Sequence, residues 1–235
     1  MAQEKITMRV GVSSRNGVPV IRTYSSKDQV TGFVLELEGD EISDISYQLL
    51  NYIYESHDPF SEGFAGVRRG RFWGFVNLGL NEVVTPEYDS VGEVTDGFVT
   101  VRKEDKYGFL KMVGSAYPTK WTDVQYDCAY SFYNGRAIVK KDNLYGYVGN
   151  TYDTKEAIPL KFEDAYDFDM TYHYAVVKES GKYGVIDKLG NWIVKPIFDQ
   201  YFTSEKYKGS KPYNALIGDR LYYLYRDGRY EEVAQ

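Results

Sequence analysis

Hydrophobic and polar residues alternate along most of this chain, in short runs that clusters of turn residues interrupt. Near the N-terminus, runs at 5–12 and 18–23 flank such a cluster at 14–17, and a third run covers 32–37. Alternation with a period of two, bounded by Gly, Asn and Ser, is typical of β-strands joined by hairpins. The N-terminal segment is therefore predicted to contain β-strands.

The hydrophobic period changes between residues 41 and 54. Four apolar residues there follow one another at intervals of three or four positions: Ile42, Ile45, Leu49 and Ile53. That spacing places them on one face of an α-helix, for which Asp40 is a candidate N-cap. We predict a helix over 41–54 whose apolar face covers one end of a β core, so that residues 1–54 form a β-plus-helix cap.

From residue 55 onward the chain repeats itself with a nearly constant period. Each copy is marked by an aromatic residue, here called the anchor aromatic, followed by glycine, and the last copy has a divergent pair: Trp73-Gly74, Tyr107-Gly108, Tyr145-Gly146, Tyr183-Gly184 and Leu221-Tyr222. The spacings between these pairs are 34, 38, 38 and 38 residues. Fixed periods of this size indicate stacked supersecondary units. We therefore predict five β repeats over residues 55–235.

Three strands are predicted in each copy. The first two flank a tight turn, and the third ends at a proline: Pro86, Pro118, Pro159 or Pro196. Each copy is preceded by a closing aromatic, mostly followed by an acid: Tyr54-Glu55, Tyr88-Asp89, Trp121-Thr122, Phe162-Glu163 and Phe198-Asp199. The predicted fold is all-β, with tandem three-stranded antiparallel meanders in an open array or, alternatively, a propeller-like ring.

The glycine of each pair lies in the middle of a predicted strand, where it lowers stability. Such a glycine usually marks a close approach of another backbone or ring. We predict that the anchor aromatic of one unit packs where the glycine of the next unit leaves room. The anchor aromatics are then expected to be buried at equivalent places.

Two stretches resemble a known family. Residues 71–77 read Arg-Phe-Trp-Gly-Phe-Val-Asn, and residues 182–190 read Lys-Tyr-Gly-Val-Ile-Asp-Lys-Leu-Gly. Together with the preceding loops at 61–65 and 95–99, they resemble the bacterial WG-repeat (WG containing repeat) family over about residues 54–235. The resemblance implies a repeat scaffold that acts as a binding or interaction module. It implies no catalytic residues.

Composition and charge exclude several classes of function. With 28 Lys and Arg against 34 Asp and Glu, the formal charge is -6, so a nucleic acid partner is not expected. No apolar run approaches the roughly 18 residues of a membrane span. The single Cys128 excludes an internal disulfide. Residues 1–5 contain no signal-like stretch, and the localisation stays open between the cytoplasm and a mature exported protein.

Catalytic and metal-binding patterns are missing from the sequence. There is no phosphate-binding loop, dinucleotide fingerprint, Cys or His metal spacing or nucleophile elbow. His173 falls in the column of Gly63, Gly97 and Gly135, so we expect it to adopt a left-handed backbone conformation rather than to bind a ligand. Asp167 with Asp169 fails the EF-hand register, because Lys178 stands where a bidentate Glu belongs. We predict no enzyme activity, no cofactor and no metal.

Tyrosine is the unusual feature of the composition, with 24 residues. The connections from a closing aromatic to the next anchor take 19, 19, 24, 21 and 23 residues, and the longer ones are rich in tyrosine. Because loops of stacked repeats emerge side by side, we expect a partner on the edge formed by 122–135, 163–174 and 199–213. The candidate binding residues are Tyr126, Tyr130, Tyr133, Tyr166, Tyr172 and Tyr207.

The sequence therefore favours a non-enzymatic scaffold for a protein or peptide partner. A carbohydrate-binding module or a glycan-active protein is the alternative, because tyrosine rings also suit sugars. The loop tyrosines have two alternative roles at this point: they pack within the fold, or they bind a partner.

Overall fold

The computed structural model describes residues 9–15, 18–24, 35–36, 47, 50–51, 53–112, 118–151, 158–169, 173–202, 213–225 and 229–233. The chain divides into two compact units. Unit 1 contains residues 1–104 and 110–121, and unit 2 contains residues 105–109 and 122–235.

The N-terminal segment forms a three-stranded antiparallel sheet, as the alternation predicts. Its strands are β1 (Arg9–Arg15), β2 (Val18–Tyr24) and β3 (Leu35–Glu36), in that spatial order. β1 and β2 pair in full register, from Arg9 opposite Tyr24 to Arg15 opposite Val18. The predicted turn at the N-terminus thus joins two paired strands.

The predicted helix agrees with the structure at its described positions, but its buried face differs. Residues 47, 50, 51 and 53 are helical, and the amide of Tyr54 donates to the carbonyl of Leu50 over 3.0 Å. Leu50 is fully buried, whereas Ile53 is 50% exposed, so the prediction of a face through Ile53 was wrong. Ile42, Ile45 and Leu49 lie outside the described residues.

Leu50 fixes which side of this helical segment faces the repeats. It packs against the buried residues Ala65, Val67 and Val76, and Tyr54, one helical turn later, joins the same cluster. Residues four positions apart share a helix face, so Leu50 and Tyr54 together define the side that faces the repeats.

The repeats form five four-stranded antiparallel sheets, here called repeat sheets one to five, with strands in chain order. Sheet one contains β4 (Ser56–His57), β5 (Phe64–Arg69), β6 (Phe72–Asn77) and β7 (Glu82–Tyr88). Sheet two contains β8 (Ser90–Val91), β9 (Phe98–Lys103), β10 (Lys106–Lys111) and β11 (Thr119–Lys120). Sheet three contains β12 (Cys128–Ala129), β13 (Arg136–Lys141), β14 (Leu144–Gly149) and β15 (Ile158–Phe162). Sheet four contains β16 (Asp164–Ala165), β17 (Tyr174–Glu179), β18 (Lys182–Asp187) and β19 (Trp192–Phe198). Sheet five contains β20 (Gln200–Phe202), β21 (Tyr213–Ile217), β22 (Arg220–Leu224) and β23 (Tyr230–Glu232).

The all-β fold of tandem meanders is confirmed, with one correction. Each repeat sheet has four strands rather than the predicted three, because the connection contributes a strand of two or three residues: β4, β8, β12, β16 or β20. A strand this short carries too few residues to show an alternating pattern. It pairs with the first long strand of its sheet and satisfies backbone groups that would otherwise be unpaired.

The third long strand was predicted to end at its proline, but the structure shows a different boundary. β7, β15 and β19 continue through Pro86, Pro159 and Pro196 to the next aromatic residue, and β11 begins only after Pro118. The pairing register shifts at this point in sheets one, three and four. A shifted ladder leaves positions without a hydrogen-bond partner, so proline, which has no amide hydrogen, is accommodated there.

The same irregularity explains the glycine that follows each anchor aromatic. A Cβ atom added to Gly146 would lie 2.6 Å from the carbonyl oxygen of Ile158 and 2.9 Å from the amide nitrogen of Leu160. Gly74, Gly108 and Gly184 face backbone atoms at similar distances. The predicted close approach is confirmed, but it comes from the backbone that follows in the same repeat. The prediction that an aromatic ring of the next unit fills this space was wrong.

The anchor aromatics are also less buried than predicted. Trp73, Tyr107, Tyr145 and Tyr183 are all half-buried. The core is filled by the residue two positions later, on the same strand face: Phe75, Phe109, Tyr147 and Val185, each no more than 2% exposed. In unit 2, a cluster around Tyr147, Phe162 and Phe168 joins sheets three and four. A second cluster around Val176, Val185 and Phe198 joins sheets four and five.

The closing aromatic of the second repeat is Tyr126, and the prediction that Trp121 holds this position was wrong. Tyr126 pairs with the anchor Tyr107, as Tyr88 pairs with Trp73 and Phe162 with Tyr145. In repeats one and four the closing aromatic follows the glycine by 14 residues, in the third by 16 and in the second by 18. In the second repeat the added residues come before the third strand, since Leu110 pairs with Lys120, ten positions on, whereas Ile186 of the fourth repeat pairs with Trp192, six positions on. The connection from Tyr126 to Tyr145 is then 19 residues long, like the first two.

The acid that precedes each of repeat sheets two to five binds a hairpin turn of that sheet. Asp89 accepts a hydrogen bond from the amide of Glu104 over 2.8 Å, and Asp127 accepts one from Asp142 over 2.8 Å. The equivalent bonds join the Gly181 amide to Glu163, over 3.0 Å, and the Gly218 amide to Asp199, over 2.8 Å. These acids are therefore structural, and they explain the aromatic–acid pattern of the sequence.

Replacing Asp199 by alanine is expected to speed deuterium exchange at the Gly218 amide. The Gly218 amide and, next, the Lys182 ammonium lower the pKa of Asp199 below its ordinary value. Because the pKa of Asp199 is lower in the folded state, its carboxylate stabilises the fold at pH values above the ordinary Asp pKa of about 4. This stabilisation is lost as the pH falls through the lowered pKa of the folded state. In the wild-type protein, protection of Gly218 should therefore decline in acid, whereas in the variant it should already be low at neutral pH. Asp219→Ala, at an exposed acid of the same turn, is the control, and equal exchange rates in the two variants would contradict the role given to Asp199.

Candidate functional site

The structure places the sequence-predicted tyrosines in different environments. Tyr126 is only 6% exposed, because it is the closing aromatic of its repeat. Tyr130 and Tyr133 are 50% and 44% exposed, and Tyr166 is half-buried. Tyr172 and Tyr207 lie outside the described residues.

Tyr130 and Tyr166 occupy the same position in successive repeats of unit 2. Each follows a short strand, β12 or β16, and its amide donates over 3.0 Å to a carbonyl of the next strand, that of Ile138 or Val176. Their side chains thus emerge at equivalent points of sheets three and four. In the first two repeats this column holds Asp58 and Gly92, whose amides donate to the carbonyls of Gly66 and Thr100.

A row of aromatic rings extends from these two positions. The ring centroid of Tyr166 lies 5.3 Å from that of Tyr201 and 6.4 Å from that of Tyr183, and the last two are 6.5 Å apart. Tyr130 is close enough to Tyr145 and Asp164 to interact electrostatically with both. We call this surface of unit 2 the tyrosine strip: Tyr130, Tyr145, Tyr166, Tyr183 and Tyr201, with Asp164 between the first and third.

Lysines cover two rings of the strip. The Nζ of Lys140 lies 5.0 Å from the ring centroid of Tyr145, and the Nζ of Lys178 lies 5.3 Å from that of Tyr183. Both pairs face each other across neighbouring strands. A cation over an aromatic face at this distance is stabilised by the negative face of the ring. The strip therefore combines apolar ring edges with positive ammonium groups and one carboxylate.

The hydroxyls of Tyr130 and Tyr166 stay protonated at neutral pH, because the pKa of each is raised. Burial, then Asp164 and then the Tyr183 hydroxyl raise the pKa of Tyr166 to about 12. The Cys128 thiol and, next, burial raise the pKa of Tyr130. A protonated phenol donates and accepts hydrogen bonds but is a poor base and a poor nucleophile. These two hydroxyls can therefore both donate and accept hydrogen bonds.

Sequence reasoning missed Tyr145, Tyr183 and Tyr201 as parts of this surface. The two anchors were expected in the core. Tyr201 lies in the 199–213 loop of the expected edge but was not among the candidate binding residues. A signal for the anchors was present, because a Lys or Arg stands five residues before each one: Arg68, Arg102, Lys140 and Lys178. In a two-residue hairpin that spacing places the cation directly across from the ring, and a ring beneath a charged side chain faces solvent.

His173 has a backbone role, as its column predicts. Its φ is 58°, in the left-handed region, like the glycines at the equivalent positions. Its amide donates to the carbonyl of Asp169 over 3.0 Å, and its Nδ1 lies 3.3 Å from the side-chain nitrogen of Asn134. Over the described ranges, no group of three or more His, Cys, Asp or Glu side chains is placed to hold a metal ion. In the same part of the chain, no helix has the length and apolarity to span a bilayer.

By its fold, the chain is an all-β protein of tandem four-stranded antiparallel sheets. Its repeats are similar to the family described as WG containing repeat, which matches residues 73–107, 122–145, 153–183 and 183–206. Three of these matches end on the anchors Tyr107, Tyr145 and Tyr183. No curated protein matches the chain.

Solved structures resemble the chain at low identity. Hsv2p from Kluyveromyces lactis is 10% identical, with a TM-score of 0.42, and the match covers 95% of this chain and 75% of that one. A quinonprotein alcohol dehydrogenase-like protein from Bacteroides thetaiotaomicron is also 10% identical, with a TM-score of 0.35 over 97% of this chain and 66% of that one.

Proposed function

We propose that this protein is a non-enzymatic interaction scaffold that binds a protein or peptide partner on the tyrosine strip. The observation that carries the proposal is the ring-to-ring contact of Tyr166, Tyr183 and Tyr201 on a rigid β framework. Tyrosine offers a large contact area with little loss of side-chain entropy, which suits recognition of peptide surfaces. Repeat frameworks commonly present such surfaces across neighbouring units. We also propose that the protein comes from a bacterium, on the sequence resemblance alone.

The lysines favour a peptide over a carbohydrate. A sugar stacks on the open face of an aromatic ring, but Lys140 and Lys178 lie over the rings of Tyr145 and Tyr183. A peptide can instead place a carboxylate against these ammonium groups and an apolar side chain against the ring edges. The expected ligand is therefore a short peptide with both acidic and apolar residues. A glycan is the alternative partner, and the experiment must distinguish it from a peptide.

Parallel screens of a phage-displayed random peptide library and a glycan array against the purified chain test this proposal. We expect enriched peptides rather than glycans. For a synthetic copy of the best peptide, Tyr130→Ala and Tyr166→Ala should each weaken binding about tenfold, or about 1.4 kcal/mol. Leu189→Ala is the matched control, because Leu189 is an exposed apolar residue of unit 2 outside the strip.

Two outcomes would contradict the proposal. Normal peptide affinity in both tyrosine variants would place the binding surface elsewhere. Selective binding of glycans, lost in the same variants, would assign the strip to carbohydrate.

A further inference from the structure

A cavity of about 320 Å³ lies in unit 1, and none of its lining residues belongs to the tyrosine strip. It is lined by residues between 58 and 94, which come from repeat sheet one and the start of repeat sheet two. Its apolar wall includes Phe64, Phe75 and Val91, and its polar groups include Asp58 and Ser61. A volume of this size matches the lower range of small-molecule sites in proteins.

At one position of the cavity wall, the first repeat departs from the others. Seven residues before the anchor position, repeats two to four carry the branched residues Thr100, Ile138 and Val176 and the fifth carries Asn214, whereas the first carries Gly66. A Cβ atom on Gly66 would lie 2.5 Å from Oδ2 of Asp58 and 3.2 Å from a methyl carbon of Val91. The carboxylate of Asp58 therefore occupies space that a side chain fills in the other repeats.

Asp58 is itself particular to the first repeat. Its backbone position corresponds to that of Gly92, Tyr130 and Tyr166 in the later repeats, as the shared amide hydrogen bond shows. Two changes in one repeat, a glycine and an acid, thus bring a carboxylate to an apolar cavity. Within the described part of the chain, no Lys or Arg forms an ion pair with this carboxylate. Burial raises the pKa of Asp58, and the neighbouring His57 offsets this only in part.

The polar atoms of the cavity wall accept hydrogen bonds. The hydroxyl of Ser61 donates its hydrogen to the carbonyl of Val94 over 2.8 Å, so its lone pairs remain as acceptors. The lining residues include two carboxylates, Asp58 and Glu93, and no basic side chain. A ligand that satisfies this wall must carry hydrogen-bond donors and a positive charge, and its body must be apolar to contact Phe64 and Val91.

We propose that this cavity is a binding site for a small organic cation, an ammonium group attached to a compact apolar body. The ammonium pairs with the carboxylate of Asp58 and donates to the hydroxyl of Ser61. The apolar body packs on Phe64 and on the half-buried side chain of Val91. This site is independent of the proposed partner surface, since all of its residues belong to unit 1.

Isothermal titration calorimetry of the full chain with phenethylammonium tests the site, with 2-phenylethanol and 3-phenylpropionate as neutral and anionic probes of similar shape. We expect the cation to bind at least tenfold more tightly than either probe. Asp58→Asn, which keeps the shape and removes the charge, should weaken cation binding at least tenfold. Gly66→Ala should do the same, because its Cβ displaces the carboxylate. Glu104→Gln, an equal charge change at an exposed residue of unit 1, is the control and should bind as the wild type does.

The stability of Asp58→Asn without ligand gives a second readout. Because burial raises the pKa of Asp58, its charged form destabilises the folded chain at neutral pH. The variant should therefore melt at a higher temperature than the wild type at pH 7. The difference should shrink as the pH falls toward the ordinary Asp pKa of about 3.9, and it should disappear below that value, where the carboxyl is protonated in both states. His57 and Glu93 are the other titratable groups beside this carboxylate. Equal binding of phenethylammonium and 2-phenylethanol, absence of cation binding, or unchanged binding in Asp58→Asn would each overturn the proposal.

Discussion

Replacing Gly146 by alanine is expected to destabilise the protein by about 3 kcal/mol, because overpacked sites with no room to relax lie at the upper end of the usual range. The new Cβ would lie 2.6 Å from the carbonyl oxygen of Ile158 and 2.9 Å from the amide nitrogen of Leu160. These are backbone atoms of a paired strand, so they cannot move aside as the end of a flexible side chain can. The midpoint of urea unfolding measures the effect.

Gly92→Ala provides the matched control for this substitution. A Cβ on Gly92 would lie 3.6 Å from its nearest neighbours, which is an ordinary contact distance. The urea midpoint of this variant should stay close to that of the wild type. If both variants unfold at the same midpoint, the close backbone approach is not the reason for glycine at the repeat position.

Truncating Tyr147 to alanine should cost about 4 kcal/mol, as is usual for a large buried aromatic side chain. Tyr147 is 1% exposed, its ring centroid lies 4.9 Å from that of Phe168, and its hydroxyl donates to the carbonyl of Tyr166 over 2.7 Å. Tyr145→Ala, on the same strand, should cost only about 1 kcal/mol, which is typical of a partly exposed position. Chemical denaturation of the two variants compares these costs directly.

The hydroxyl of Tyr147 is tested separately by Tyr147→Phe. Losing one buried hydrogen bond should cost about 1 kcal/mol, so most of the loss in the alanine variant comes from the ring. A larger loss of stability for Tyr145→Ala than for Tyr147→Ala would reverse the assignment of core and surface.

Local patterns in the sequence are enough to predict most of the framework. The fixed spacing of the aromatic–glycine pairs and the alternation around them identify the long strands, such as β13 and β14, because each long strand shows the alternation on its own residues. The hairpin turns follow from Gly, Asn and Asp at positions with positive φ, such as Asp142 and Asn143.

Features that depend on pairing between distant residues were not predictable in the same way. The two-residue strands, such as β16, have no pattern of their own and exist because β17 offers unpaired backbone groups. The choice between Trp121 and Tyr126 as closing aromatic depends on which ring meets Tyr107 across the sheet. Both candidates are aromatic residues, and the extra residues before Tyr126 change its spacing from Gly108, so the sequence does not reveal which of the two pairs with Tyr107.

The same limit applies to the two sites. Tyrosine content pointed to Tyr130 and Tyr166, but their relation to Tyr183 and Tyr201 follows from the three-dimensional stacking of repeats. The cavity in unit 1 had a visible signal, since Gly66 stands in a column of branched residues. Its meaning depended on Asp58, which is eight residues away in the chain and in contact only after folding.

The variable length between glycine and closing aromatic has a practical consequence for engineering. The second repeat carries four more residues there than the first, and its sheet still forms with Tyr126 opposite Tyr107. In the fourth repeat the corresponding segment contains the turn Asp187–Asn191, where the amide of Asn191 donates to the carboxylate of Asp187 over 2.9 Å. A foreign peptide epitope grafted between Asp187 and Asn191 would therefore be displayed at a point where a natural repeat already accepts extra chain.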